Sequence, residues 1–162
     1  MTRAPFRIGH GFDAHRLVPE RPFILGGVTI PFERGPLGHS DADVLAHAVS
    51  DAVLGACALG DLGAHFPDSD PKWKGADSLA LLAHCVRLAR EAGYELANLD
   101  ATIVVQLPKL APHLPAIRAR LAAAVGLEEQ AVSVKAKTSE GMGYTGDGSG
   151  IAAYAVALVT AR

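Results

Sequence analysis

Three side chains in the first third of the sequence have the types and spacing to hold a metal ion. Asp13-Ala14-His15 closes a stretch, residues 6–15, in which Phe6, Ile8, His10 and Phe12 alternate with Arg7, Gly9, Gly11, Asp13 and His15. Period-two alternation predicts a strand and puts Asp13 and His15 side by side on one face. His47 falls on a predicted helix, in a polar stripe with Asp43 and Asp51 at i, i+4 spacing. Any one of these residues alone is more often an exposed or packed polar group. Together, two imidazole nitrogens and a carboxylate oxygen suit zinc or another divalent transition metal, and three protein ligands leave a fourth position open. Asp51, one turn beyond His47, is either an acceptor that orients the imidazole or a solvated helix carboxylate.

Two further segments suit anions. His39-Ser40 stands where the helix is predicted to open, and outward-pointing amides there favour phosphate, alongside plain capping by Ser40. Lys135 to Glu140 ends a predicted strand, where hydroxyls and the Glu140 carboxylate suit phosphate and a hard cation, or form an ordinary turn. The loop that follows matches neither a Walker A sequence nor a dinucleotide fingerprint.

These groups need elements to position them. After the first strand, the apolar run 23–32 with Gly26 and Gly27 inside it predicts a bent or bulged strand. A helix opens at Ser40 with Asp43 three residues on, and ends around Gly60. Residues 61–77 are loop-like. A second helix starts at Asp77 or Ser78, buries Leu79, Leu82, Val86 and Leu88 or Ala89, and stops at Gly93. A strand over 96–107 follows, then a helix after Pro112 with Leu114, Ile117 and Leu121 inward and Gly126 as its stop. Residues 131–137 alternate as a strand. Five of the ten residues 141–150 are glycine, which marks a loop, and 151–159 is an apolar final strand. The pattern predicts an α+β fold in which residues 1–162 form a single domain, a mixed β-sheet with helices packed on one face. The final strand is apolar on both faces, so its second face calls for a cover, either a thick monomer core or a homo-oligomer whose sheets face a symmetry axis.

Composition narrows the classes of function. A formal net charge of -2 and a pI near 6.4 offer no electrostatic footprint for nucleic acid. Hydrophobic residues make up 49%, and mean hydropathy is +0.21, consistent with covered apolar surface. Cys57 and Cys85 stand alone inside apolar patterns, which predicts buried free thiols. Residues 1–5 lead almost directly into a strand with no apolar signal-peptide core, and no stretch suits a membrane span. The expected setting is cytoplasmic.

Several long motifs recur in order over nearly the whole chain. They are Ile8-Gly9-His10-Gly11-Phe12-Asp13-Ala14-His15, His39-Ser40-Asp41-Ala42-Asp43-Val44, Leu59-Gly60-Asp61-Leu62-Gly63, Phe66-Pro67-Asp68, Lys74-Gly75-Ala76-Asp77-Ser78, Pro108-Lys109 and Thr138-Ser139-Glu140. On these the chain resembles the 2-C-methyl-D-erythritol 2,4-cyclodiphosphate synthases of the non-mevalonate isoprenoid pathway. The resemblance implies a homotrimer with active sites between adjacent subunits. It also implies a cytidine diphosphate substrate, 4-diphosphocytidyl-2-C-methyl-D-erythritol 2-phosphate, whose 2-phosphate attacks the β-phosphorus and releases CMP. By motif position, Asp13, His15 and His47 would hold zinc, and Glu140 a magnesium or manganese bridging the α- and β-phosphates. His39, Ser40 and Thr138 would contact phosphate, with Lys74 joining them and Glu140 in the catalytic set. Asp61, Gly63 and Asp68 would contact the sugar hydroxyls. Phe66 and Tyr144 would also face substrate, and Val105, Pro108, Lys109, Leu110 and Ala136 would cradle cytosine.

The chain departs from the pattern at Asp147, where many relatives carry arginine, and at Ser149, where they carry an acidic residue. In the family that arginine helps hold an isoprenoid diphosphate in an axial channel, so weak binding of such a ligand is expected here. A zinc phosphoesterase and a non-catalytic zinc or nucleotide-binding module are the competing functions.

Overall fold

Gly9 and Gly11 explain how the first long strand and the first long helix come together in the computed structural model, which describes residues 4–162. The start of the chain ahead of Ala4, part of the segment read as lacking a signal peptide, lies outside the described residues. Strand β1 (Phe6–Pro19) passes beneath helix α1 (Val44–Ala56). A Cβ at Gly9 would sit 1.9 Å from the Ala52 carbonyl oxygen, and one at Gly11 1.8 Å from that of Ala48. The helix backbone therefore rests directly on the strand, which only glycine permits. Asp13 and His15 continue the same face, beneath the N-terminal end of α1.

The helix opens later than expected. Its N-cap is Asp43, whose Oδ1 accepts the Ala46 N–H at 3.1 Å, while Ser40 lies outside the helix. The reason lies in the preceding run. Residues 23–32 do not form one bent strand but a hairpin, β2 (Phe23–Leu25) and β3 (Val28–Ile30), with Gly26 and Gly27 at φ 55° and 71° in the turn. The Asp43 carboxylate accepts both turn amides, Gly26 N–H at 3.0 Å and Gly27 N–H at 2.8 Å. Asp43 is thus a fully buried staple between hairpin and helix, and leaves the polar stripe proposed for it.

The main sheet adds β4 (Arg34–Pro36), β5 (Tyr94–Val104), β6 (Val132–Lys137) and β7 (Gly150–Ala161), in the order β4-β1-β7-β5-β6. All pairs are antiparallel except β5–β6. The sheet is mixed, as expected; the short β4 edge strand carried no apolar signal. Residues 61–77 hold a one-turn helix, α2 (Leu62–His65), and a 3-10 turn over Pro71–Trp73; each is capped by an aspartate, Asp61 and Asp70 respectively. Helices α3 (Ser78–Glu91) and α4 (Leu114–Val125) keep their expected bounds closely, whereas β5 ends at Val104 rather than 107. The glycine loop contains a second one-turn helix, α5 (Gly143–Gly146).

Helices α1, α3 and α4 cover one face of the sheet. Ile151, Ala153, Ala155, Ala157 and Val159 of β7 are buried there with Leu82 and Val86 of α3 and Ile117 and Leu121 of α4. The opposite face keeps Phe6, Ile8, Phe12, Tyr154 and Val156 between 41% and 66% exposed. Among the described residues no helix is long and apolar enough to cross a membrane.

Candidate functional site

Strand β1 and helix α1 bring the three candidate ligands to one point. Asp13 Oδ2 lies 3.0 Å from His15 Nε2 and 2.9 Å from His47 Nδ1, and the two nitrogens are 3.3 Å apart. A tetrahedral site with bonds of about 2.0–2.1 Å sets its ligand atoms about 3.3 Å apart, so the triangle has the dimensions of three ligands to one cation. Among the described residues this is the group that can hold a metal. Burial works to raise the Asp13 carboxyl, but hydrogen bonds and charge from His15 and His47 outweigh it and hold it at about 2. Burial opposes the His47 imidazolium, yet the Asp13 hydrogen bond and charge raise it above the ordinary histidine value. Such a cluster draws positive charge, whether protons or a cation.

The far side of His47 is bonded by hydroxyls. Its Nε2 lies 3.0 Å from Ser40 Oγ and 2.9 Å from Ser78 Oγ. Asp51 does not orient the imidazole. Its Oδ1 accepts the Leu62 N–H at 2.7 Å and ties α2 to α1. Burial raises its carboxyl.

The triad opens into a cavity of about 330 Å3 whose lining includes His39, Ser40, Asp51, Asp61, Gly63, Phe66, Asp68 and Trp73. Most of the expected phosphate and sugar contacts of the N-terminal half are therefore in one place. His39 Nε2 and Trp73 Nε1 are buried without a hydrogen-bond partner. Lys74 is exposed on the turn beside Trp73.

The expected cytosine residues gather elsewhere. Val105, Pro108, Lys109, Leu110, Ala136 and Thr138 line a separate cavity of about 150 Å3. Beyond it, Thr138 Oγ1 donates to Glu140 Oε1 at 3.0 Å, and Glu140 has a left-handed backbone, φ 53°. Tyr144 belongs to neither group; it lines a third cavity with Arg16 and Arg34, because α5 folds back against β7. Residues assigned no role in the site from the sequence are Ser78, Asp41, Trp73 and Leu62. Ser78 and Trp73 approach His47 and the pocket only through tertiary packing, and no local spacing signals that.

The YgbB family model matches residues 6–160. The chain is 60% identical over 153 residues to the 2-C-methyl-D-erythritol 2,4-cyclodiphosphate synthase of Trichlorobacter lovleyi, covering 94% of this chain and 98% of that one. A solved structure of 2C-methyl-D-erythritol-2,4-cyclodiphosphate synthase in a CDP-bound form superposes with a TM-score of 0.87 at 40% identity, over 94% of this chain and 99% of that one. The bifunctional IspDF of Campylobacter jejuni superposes with a TM-score of 0.93 at 39% identity, over 97% of this chain but only 42% of that longer protein.

Proposed function

The chain belongs to the YgbB family, and from that premise we propose that it closes the cyclic diphosphate of 2-C-methyl-D-erythritol at a site shared between subunits. The reaction converts 4-diphosphocytidyl-2-C-methyl-D-erythritol 2-phosphate to 2-C-methyl-D-erythritol 2,4-cyclodiphosphate and CMP. An oxygen of the 2-phosphate bonds to the β-phosphorus while the bond from that phosphorus to the α–β bridging oxygen breaks. The bridging oxygen leaves on CMP with the electron pair. The nucleophile is already anionic, so positioning and charge neutralisation are the main demands.

The observation that carries this reading is the convergence of Asp13, His15 and His47 in one pocket with Ser40, Asp61, Gly63 and Asp68. The donor set, two nitrogens and one carboxylate oxygen, fits zinc. Glu140, a hard oxygen donor, would hold magnesium or manganese. When bound, these cations withdraw charge from the diphosphate and from the leaving CMP. The chain's own residues do the placing. Ser40 and the unpartnered His39 Nε2 would hold a phosphate above the triad, and Lys74 would add charge. Asp61, Gly63 and Asp68 would fix the sugar hydroxyls, with Phe66 packing beside them. Val105, Pro108, Lys109, Leu110 and Ala136 would receive cytosine, and Thr138 a phosphate. Tyr144 would face substrate only across a subunit boundary.

A homotrimer accounts for two features together. The metal pocket and the cytosine cavity are separate within one chain, and the exposed apolar face of β1 and β7 needs a cover. A neighbouring subunit would supply both. The buried cysteines Cys57 and Cys85 suit a reducing, cytoplasmic setting. Mass spectrometry of the protein incubated with substrate and magnesium tests the function. The expected products are CMP and the cyclic diphosphate in equal amounts. CMP with a linear phosphate would point to a phosphoesterase, and neither product to a binding module.

A further inference from the structure

We infer that Ser78, held by Asp41, is a positioning residue for the metal centre, its hydroxyl fixing His47 as the Nε2–H tautomer so that the Nδ1 lone pair faces Asp13 and His15. This rests on the metal-centre reading given above.

The direction of each hydrogen bond follows from how many protons the group contains. Ser78 is fully buried at the first position of α3, and its hydroxyl has one proton to give. The Asp41 carboxylate, which can only accept, is in short contact with that hydroxyl through Oδ1. The same carboxylate accepts the Ser78 N–H at 3.1 Å through Oδ2 and the Asp43 N–H at 3.2 Å through Oδ1. The Ser78 proton therefore goes to Asp41. His47 Nε2, 2.9 Å from Ser78 Oγ, must then be the donor in that pair. Ser40 Oγ accepts the Ala42 N–H at 3.1 Å and sits 3.0 Å from the same Nε2. Two oxygens thus receive the Nε2–H, and the proton of Ser40 is used by neither bond.

The alternative tautomer would aim an Nδ1–H at Asp13 Oδ2, 2.9 Å away, and remove one ligand from the triad. Asp13 favours that state when no cation is present, so an opposing acceptor on Nε2 has a definite task. Hydrogen-bond partners of this kind fix the tautomer and raise the basicity of metal-binding histidines. The relay is anchored by backbone bonds between the two loops, Asp41 N–H to Ala76 O at 3.1 Å and Gly75 N–H to His39 O at 2.9 Å. Docking of α3 against the loop before α1 thereby sets the chemistry of a histidine 31 residues away.

Zinc affinity, measured by competition with a chromophoric chelator, and the 15N signals of the His47 ring test this in the full chain. Ser78→Ala is expected to bind zinc about 10–100-fold more weakly. In the metal-free protein at alkaline pH its His47 ring should move toward the Nδ1–H form. Asp41→Asn presents an amide that can donate to Ser78 Oγ and turn the serine proton onto Nε2, so it should shift the ring the same way. A role confined to stapling α3 would lower the melting temperature of both variants while leaving ring and affinity as in the parent, and would overturn the inference. If Ser78→Ala does not fold, Asp41→Asn and the parent's own ring signals decide the matter. A parent protein that takes up no zinc would instead overturn the metal-centre reading, while its ring signals would still report the tautomer.

Discussion

Asp13 serves both histidines through one oxygen, and its carboxyl lies at about 2, so that carboxylate is ionised over the whole neutral range. Removing a nitrogen from such a set should empty it. His47→Ala is expected to lose most of its zinc by elemental analysis and about 100-fold or more in turnover. Its unfolding midpoint should change little, because His47 is only partly buried at the pocket wall. Full zinc occupancy in that variant would show the ligand to be misassigned. A second residue leaves a signature in stability rather than activity. Burial pushes the Cys85 thiol from 9.0 up to about 11. The unfolded chain ionises first, so between those values it binds fewer protons than the folded chain, and stability falls as pH rises. Urea unfolding from about pH 8 to 11 should show a loss on the order of 1–3 kcal/mol that is absent in Cys85→Ala. The same slope in both proteins would assign it to other groups.

At the scale of elements, the seating of α1 on β1 holds His47 over Asp13 and His15. A methyl at Gly11 would lie 1.8 Å from the Ala48 carbonyl oxygen and 2.7 Å from the Ala52 nitrogen, both rigid backbone atoms. Gly11→Ala must lift the helix, and should cost about 1–3 kcal/mol or more. It should also weaken zinc binding, because His47 rides on the displaced helix. Gly55→Ala is the control. It lies in the same helix, where an added Cβ would meet only the His10 carbonyl oxygen at 3.8 Å. That change should stabilise the protein by about 0.5–1 kcal/mol, since glycine is unfavourable inside a helix. Chemical denaturation of the pair, with zinc titration, checks both signs. Equal stability of the two variants would mean that the close approach does not set the helix position.

At the scale of the whole molecule, the exposed face of β1 and β7 should lie between subunits. Phe12 and Tyr154 already pack at 5.0 Å between ring centroids, tilted by 46°, with Val156 at 41% exposure beside them. Burying this face stabilises at roughly 25 cal/mol per Å2, whereas a buried carboxylate there would be unpaired. Val156→Glu is expected to give a folded monomer without turnover, against a parent with the mass of three chains in light scattering at all dilutions. A monomeric parent that still turns over substrate would contradict the shared site. The end of the sheet near α5 carries the departure at Asp147. Ser149 holds this carboxyl below its usual range, so it is charged at neutral pH and repels a diphosphate. Native mass spectrometry with geranyl diphosphate should find weak retention by the parent and stronger retention by Asp147→Arg. Tight stoichiometric retention by the parent would count against the repulsion.

The sequence alone indicated the candidate ligands, the order of the long elements and the apolar second face, because each is a local matter of residue type and period. Asp13 and His15 share a face by strand geometry. Helices α3 and α4 end close to where glycines allow, and β7 alternates in burial from Ala153 to Thr160. Tertiary structure decided what depends on which competing partner a polar group finds. Asp43 rather than Ser40 caps α1, because a hairpin turn brings two amides to a buried carboxylate. Asp51 turns to Leu62, and Ser78 takes its place on His47, because α2 and α3 dock on opposite ends of the same helix stripe. Most of the expected substrate residues divide between two cavities because α1 and the β5–β6 edge lie apart in one chain, while Tyr144 lines a third. Spacing along a chain fixes which side chains share an element, but only packing fixes which of them share a proton, a pocket or a cation.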